Sequence, residues 1–211
     1  MSNVIIGTIV VVLMTVVLNI IIDSLILREK EDIFEFIKSF WKEKKYIIMY
    51  SVCIILEVTL FILIGANSIF YLYYFMSLLL YRIAIIDYFT KYVENKLLLL
   101  LIITAVSSLV IDHGVKLSNA IITGGVTFLI LFIMSKVTKG ALGMGDAELL
   151  GILGFVLGFQ GLMSILVLSS VFVFCISIFL IIKSRANKNK ELAFTPFIFL
   201  ALFTVLIINN I

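Results

Sequence analysis

The chain has 211 residues, 63% hydrophobic and 14% charged, with a single proline, a mean hydropathy of +1.27 and a net charge of +3. A soluble domain carries about a quarter charged residues and about half apolar ones, so a water-soluble fold is excluded and a bilayer is the solvent. The sixteen Lys and Arg are scattered over short loops, with no compact basic domain and no aromatic interleaving, which excludes a nucleic-acid surface.

A helix needs about 20 apolar residues to cross the hydrocarbon core. Low-charge windows near that length predict an all-α, polytopic membrane bundle of eight spans: Val4–Leu27, Tyr46–Gly65, Ser68–Ile86, Leu97–Ile111, Leu117–Ser135, Ala147–Phe159, Met163–Ile182 and Ala193–Ile208. The fourth and sixth are short. The whole of residues 1–211 reads as one membrane-embedded domain. Span one has no basic start and no small-residue cleavage site before "LREKED", so it reads as a retained helix and not a signal peptide. In the segment 28–45, the residues Ile33, Phe34, Ile37, Phe40 and Trp41 fall at helical spacing between Lys and Glu, as in a helix lying on the cytoplasmic leaflet. Cys53 and Cys175 lie inside apolar spans and read as small buried hydrophobes; no disulfide framework and no metal-ligand spacing is present.

Basic residues orient the spans. Six of the sixteen fall in Arg28–Lys45, three at the next same-side junction (Arg82, Lys91, Lys96), two in the third (Lys136, Lys139), four in the last (Lys183, Arg185, Lys188, Lys190), and only Lys116 on the other side. The excess of Lys and Arg marks the cytoplasmic side, so both termini are expected outside.

Acids in or beside spans are costly in lipid and each calls for a reason. Asp23 and Glu57 fall within spans one and two, Asp87 ends span three, and Asp146 and Glu148 open span six. The orientation above puts Asp87 and Asp146 at the same cytoplasmic depth. Two neighbouring carboxylates in a poorly solvated site share a proton, leaving one base to activate water and one acid to protonate a leaving group. Gly143 and Gly145 remove side chains just before Asp146 and allow another backbone to come close. Proton or cation coupling in a small transporter, or helix capping in a scaffold, are other uses of the same acids. Asp112 and His113 read as a solvated outer turn.

The segment "ALGMGDAELLGILGFVLGFQGL" resembles the Gly-x-Gly-Asp signature of the type IV prepilin peptidases. "LLYRIAIIDYFTKYVENKLLLLLI" is similar to the family segment carrying the other catalytic aspartate, here Asp87, and "YIIMYSVCIILEVTLFILIG" to that carrying a glutamate, here Glu57. "ELAFTPFIFLALF" resembles the last-span proline motif at Pro196, and "VVLNIIIDSLILRE" the opening helix at Asn19. The resemblance implies a multi-pass plasma-membrane aspartic endopeptidase, with Asp87 and Asp146 as its pair, that removes basic leaders from pilin-like precursors without a cofactor. Glu148 or Glu57 would meet the leader or hold structure. Glu148 stands where the family carries a lysine, and the family's Cys-x-x-Cys insert is absent. Bifunctional members also methylate with S-adenosylmethionine; no fingerprint for that cofactor occurs here.

Overall fold

A computed structural model describes residues 2–27, 44–111, 114–137, 143–183 and 192–209. Among the described residues there are seven α-helices and no strand: α1 (Ser2–Leu27), α2 (Lys44–Ile64), α3 (Ser68–Thr90), α4 (Asn95–Ser107), α5 (Leu117–Val137), α6 (Met144–Lys183) and α7 (Thr195–Asn209). Of the expected interfacial segment 28–45, residues 28–43 lie outside the described residues and the last two open α2; the Asp112–His113 turn and most of the 183–190 loop also lie outside them. Helices are what these runs must form, because hydrocarbon offers no partner for a free N–H or C=O and a helix satisfies its own.

Among the described residues, five helices are long and apolar enough to cross a membrane: α1, α2, α3, α5 and α6. The fourth and eighth expected spans are the shorter apolar helices α4 and α7, of 13 and 15 residues. The sixth and seventh form one 40-residue element, which if straight would run about 60 Å, twice the hydrocarbon thickness. It is not straight. Gly158 interrupts it with φ +66° and ψ −176°, a conformation open in practice only to glycine. A Cβ on Gly154 would sit 3.1 Å from Leu162 Cδ2, although eight residues of continuous helix rise about 12 Å; the chain folds sharply between them. Asn119 of α5 serves the break, its Oδ1 accepting from the Phe159 N–H at 3.4 Å and from the Thr123 hydroxyl at 2.9 Å. No proline or charge marks this turn, and the expected gap between Phe159 and Met163 therefore missed its place by a residue.

Gly158→Ala is expected to destabilise the chain by about 1–3 kcal/mol, from the backbone conformation alone. The added Cβ would also lie 2.9 Å from Asn119 Nδ2 and 3.0 Å from Val115 Cγ1. Thermal unfolding in detergent reads the effect, and an unchanged midpoint would mean that the break relaxes without cost.

The described chain clusters into two compact units that part inside α3, Met1–Tyr74 and Phe75–Asn210. In the first, α1 packs on α2, and a Cβ on Gly7 would run into the Phe61 ring. This unit carries a buried polar series: the Thr15 and Tyr74 hydroxyls 2.9 Å apart, Asn19 Nδ2 donating to the Thr15 carbonyl at 2.8 Å, and Tyr50 donating its hydroxyl to Asp23. Gly65, at φ +78°, ends α2, and Asn67 begins α3 by accepting the Phe70 N–H at 2.7 Å.

In the second unit α6 is the hub, packed by α4, α5 and α7. Small residues bring α5 and α6 together: a Cβ on Gly124 would lie 2.9 Å from the Gly151 carbonyl, and one on Gly151 would lie 2.9 Å from Phe128 Cβ. Such close backbone approach is how helices gain packing where lipid removes any hydrophobic drive. Away from their contacts, α1, α2, α5 and α6 turn large apolar side chains such as Ile9, Leu13, Ile55, Leu129 and Phe174 outward, as lipid-facing surfaces do.

Candidate active site

Three helix ends of the second unit converge on two carboxylates and a threonine. Asp87 lies in the last turn of α3, where its carbonyl accepts the Lys91 N–H at 2.9 Å. Helix α3 extends to Thr90, past the expected end at Ile86, so Asp87 is held inside a helical turn. Lys91 then takes a left-handed conformation, φ +57°, and the chain turns off the helix end. Two residues on, Val93 is buried against the start of α6.

Asp146 stands in the first turn of α6, three residues after Gly143, whose carbonyl accepts the Ala147 N–H at 3.3 Å. The glycines around it have separate jobs. A Cβ on Gly143 would come 3.1 Å from Asp146 Oδ2, so the bare backbone leaves room for the carboxylate. A Cβ on Gly145 would come 2.6 Å from Val93 Cβ, so Gly145 lets the turn after Asp87 press on the helix that carries Asp146.

The third end is α7. The Phe194 carbonyl accepts the Phe197 and Ile198 N–H groups at 3.0 and 3.3 Å, which makes Thr195 the first residue inside the helix, with an N–H that has no intrahelical acceptor. That N–H donates to Asp87 Oδ2 at 3.1 Å, and the Thr195 hydroxyl donates to Asp146 Oδ1 at 3.4 Å. Asp87 and Thr195 are buried, at 6% and 0% exposure, and Asp146 is half-buried, so the pair is more open on the Asp146 side. The two carboxylates interact electrostatically.

The other acids lie elsewhere. Glu148 is two residues, and so about 200°, around α6 from Asp146. It lines an apolar groove of about 420 Å³ with Ile102 and Ala105 of α4, Phe128 of α5 and Ile152 of α6, and has no hydrogen-bond or ion-pair partner among the described residues. Glu57 is buried in the first unit, on α2. Pro196 follows Thr195 and supplies no N–H of its own. Thr195 itself is absent from the residues that sequence reasoning singled out. The available signal was the Thr-Pro pair opening a predicted helix, since a polar residue before a proline marks a helix start.

The sequence model of the type IV leader peptidase family matches residues 72–178, about half of the chain, including Asp87 and Asp146 but ending before Thr195. No curated protein and no solved structure matches the chain.

Proposed function

Because the chain belongs to the type IV leader peptidase family, we propose that it is an aspartic endopeptidase that removes the leader of pilin-like precursors at the cytoplasmic membrane face, with Asp87 and Asp146 as its catalytic pair. The observation that carries this reading is Thr195, hydrogen-bonded to both carboxylates at the meeting of three helix ends.

One proton shared between the two carboxyl groups gives the pair its chemistry. The ionised carboxylate takes a proton from a water whose oxygen attacks the scissile carbonyl carbon, while the protonated carboxyl gives its proton to the carbonyl oxygen. The tetrahedral diol then collapses: the C–N bond breaks, the leaving nitrogen takes the proton first removed from water, and the diol returns a proton to the other carboxylate. One water is consumed and the pair regains its starting state. No cofactor takes part, and S-adenosylmethionine-dependent methylation of the new terminus forms no part of the proposal.

The substrate is a precursor with a short basic leader followed by an apolar helix, which lies in the bilayer and presents its junction at the depth of Asp87 and Asp146. The proposed topology has eight crossings of the plasma membrane with both termini outside, in a single peptidase domain. Support comes from fifteen of sixteen basic residues on one side, the five long apolar helices, the two shorter ones and the division of α6 at Gly158. A cysteine introduced in the 183–190 loop should therefore resist impermeant thiol reagents in intact cells and react once the membrane is opened; labelling in intact cells would invert the topology.

Co-expression with a leader-bearing pilin-like precursor tests the function. The expected result is a shortened product whose mature N-terminus is read by mass spectrometry. An intact precursor in membranes that contain the full-length chain would sink the reading.

A further inference from the structure

We propose that Thr195 is the positioning residue of this site, its N–H fixing Asp87 and its hydroxyl steering Asp146. The inference rests on the peptidase reading for the reaction it serves, and on two hydrogen bonds for the residue itself.

Its hydroxyl bonds no group of its own helix, unlike most helical threonines among the described residues. Thr8, Thr15, Thr59, Thr90, Thr104 and Thr204 each donate to a carbonyl three or four residues back in their own helix, the habitual partner of a threonine in a helix; Thr123 also stays within its helix, donating to Asn119 Oδ1. Thr195 opens α7 and has no preceding helical turn to bond. Its hydroxyl instead reaches Asp146 across 49 positions of sequence, from a fully buried side chain.

The two donors of Thr195 differ in kind. A backbone N–H has a fixed direction and only donates, and Pro196 supplies no competing N–H beside it. It therefore holds Asp87 in one orientation. A hydroxyl rotates, and both donates and accepts, so it keeps contact with Asp146 whether that carboxyl is ionised or protonated. The hydroxyl contact, at 3.4 Å, is longer than the usual O–H···O distance of about 2.7–2.8 Å. Catalytic hydrogen bonds are often long in the free enzyme and tighten on the bound substrate. Asp146, half-buried and tied by the rotatable donor, is accordingly the group that moves onto the water and the peptide, while Asp87 stays fixed.

The N–H contact also satisfies the start of α7, so the hydroxyl is the part to remove alone. Thr195→Val keeps the shape and the N–H and deletes the hydroxyl; Thr195→Ser keeps the hydroxyl and deletes the methyl. With the purified full-length chain and a leader-bearing precursor, the valine variant should lose about 10- to 100-fold in kcat with KM within about twofold, and the serine variant should stay within about threefold of wild type. A second readout needs no cleavage: labelling of Asp87 and Asp146 by dicyclohexylcarbodiimide, measured by mass spectrometry, should change in ratio in the valine variant and not in the serine one. A valine variant with wild-type kcat overturns the proposal, as does a serine variant that loses as much as valine. If valine fails to accumulate, Thr195→Ala is judged by the same criteria. If the wild-type chain cleaves no precursor, the peptidase reading fails on its own and the labelling ratio decides Thr195, an unchanged ratio in the valine variant overturning it.

Discussion

Asp87→Asn and Asp146→Asn should each lower precursor cleavage by at least about 10³-fold, since each removes one of two proton-transferring groups that act together. Asparagine matches the shape of aspartate, and its carbonyl oxygen still accepts the Thr195 N–H at position 87 or the Thr195 hydroxyl at position 146. The helix ends should therefore stay together, and both variants should accumulate in the membrane at near wild-type amounts. The double variant should be no worse than either single one, because the pair works as a unit. The measurement is the rate of mature product formation in proteoliposomes with the amount of enzyme matched. Cleavage retained in either single variant would remove that aspartate from the mechanism.

The second large effect is expected at Gly145, where the obstacle is the Val93 Cβ, an atom that no side-chain rotation can move away. Gly145→Ala places a Cβ 2.6 Å from Val93 Cβ, a contact that real structures do not tolerate without a shift. Overpacking of this kind costs about 1–3 kcal/mol. The segment that must yield runs from Lys91 to Glu94, directly after Asp87, so the strain falls on the placement of one carboxylate against the other. Cleavage should drop about 100-fold or more, a loss of the size that a misplacement of about 1 Å produces. Val93→Ala keeps the offending Cβ and should not rescue; Val93→Gly removes it and should restore part of the rate. Gly143→Ala meets only the Asp146 carboxylate at 3.1 Å and should be milder. Wild-type cleavage by Gly145→Ala would show that the turn after Asp87 does not set the pair.

Much of the site was legible in the sequence because charge in a membrane chain is sparse and each instance carries information. Positive-inside sorting put Asp87 and Asp146 at one expected depth with no contact known, and two separate segments of family resemblance pointed to them, the Gly-x-Gly-Asp segment to Asp146 and the end of the third expected span to Asp87. The apolar runs likewise gave the positions of all seven helices among the described residues. Other features were hidden for physical reasons. Thr195 meets partners 108 and 49 positions away, and a threonine in an apolar run looks the same whether it bonds its own helix or a distant carboxylate. The break at Gly158 was misplaced because a glycine-rich apolar stretch offers several equivalent turning points, and the side chain that bonds the break, Asn119, belongs to another helix. Glu148 was legible as an anomaly, yet only the helical register shows that it faces the groove beside α4 and not the carboxylate pair.

That same break bears on how the protein is assembled. No charged residue lies between Glu148 and Lys183, so the insertion machinery meets α6 as an apolar stretch about twice as long as one crossing needs, with only its glycines and Gln160 to mark where it turns. Asn119, which accepts the Phe159 N–H beside the break, leaves the ribosome earlier. Helix α5, made first, is thus already present to pack against the fold-back at Gly158 when its successor is inserted.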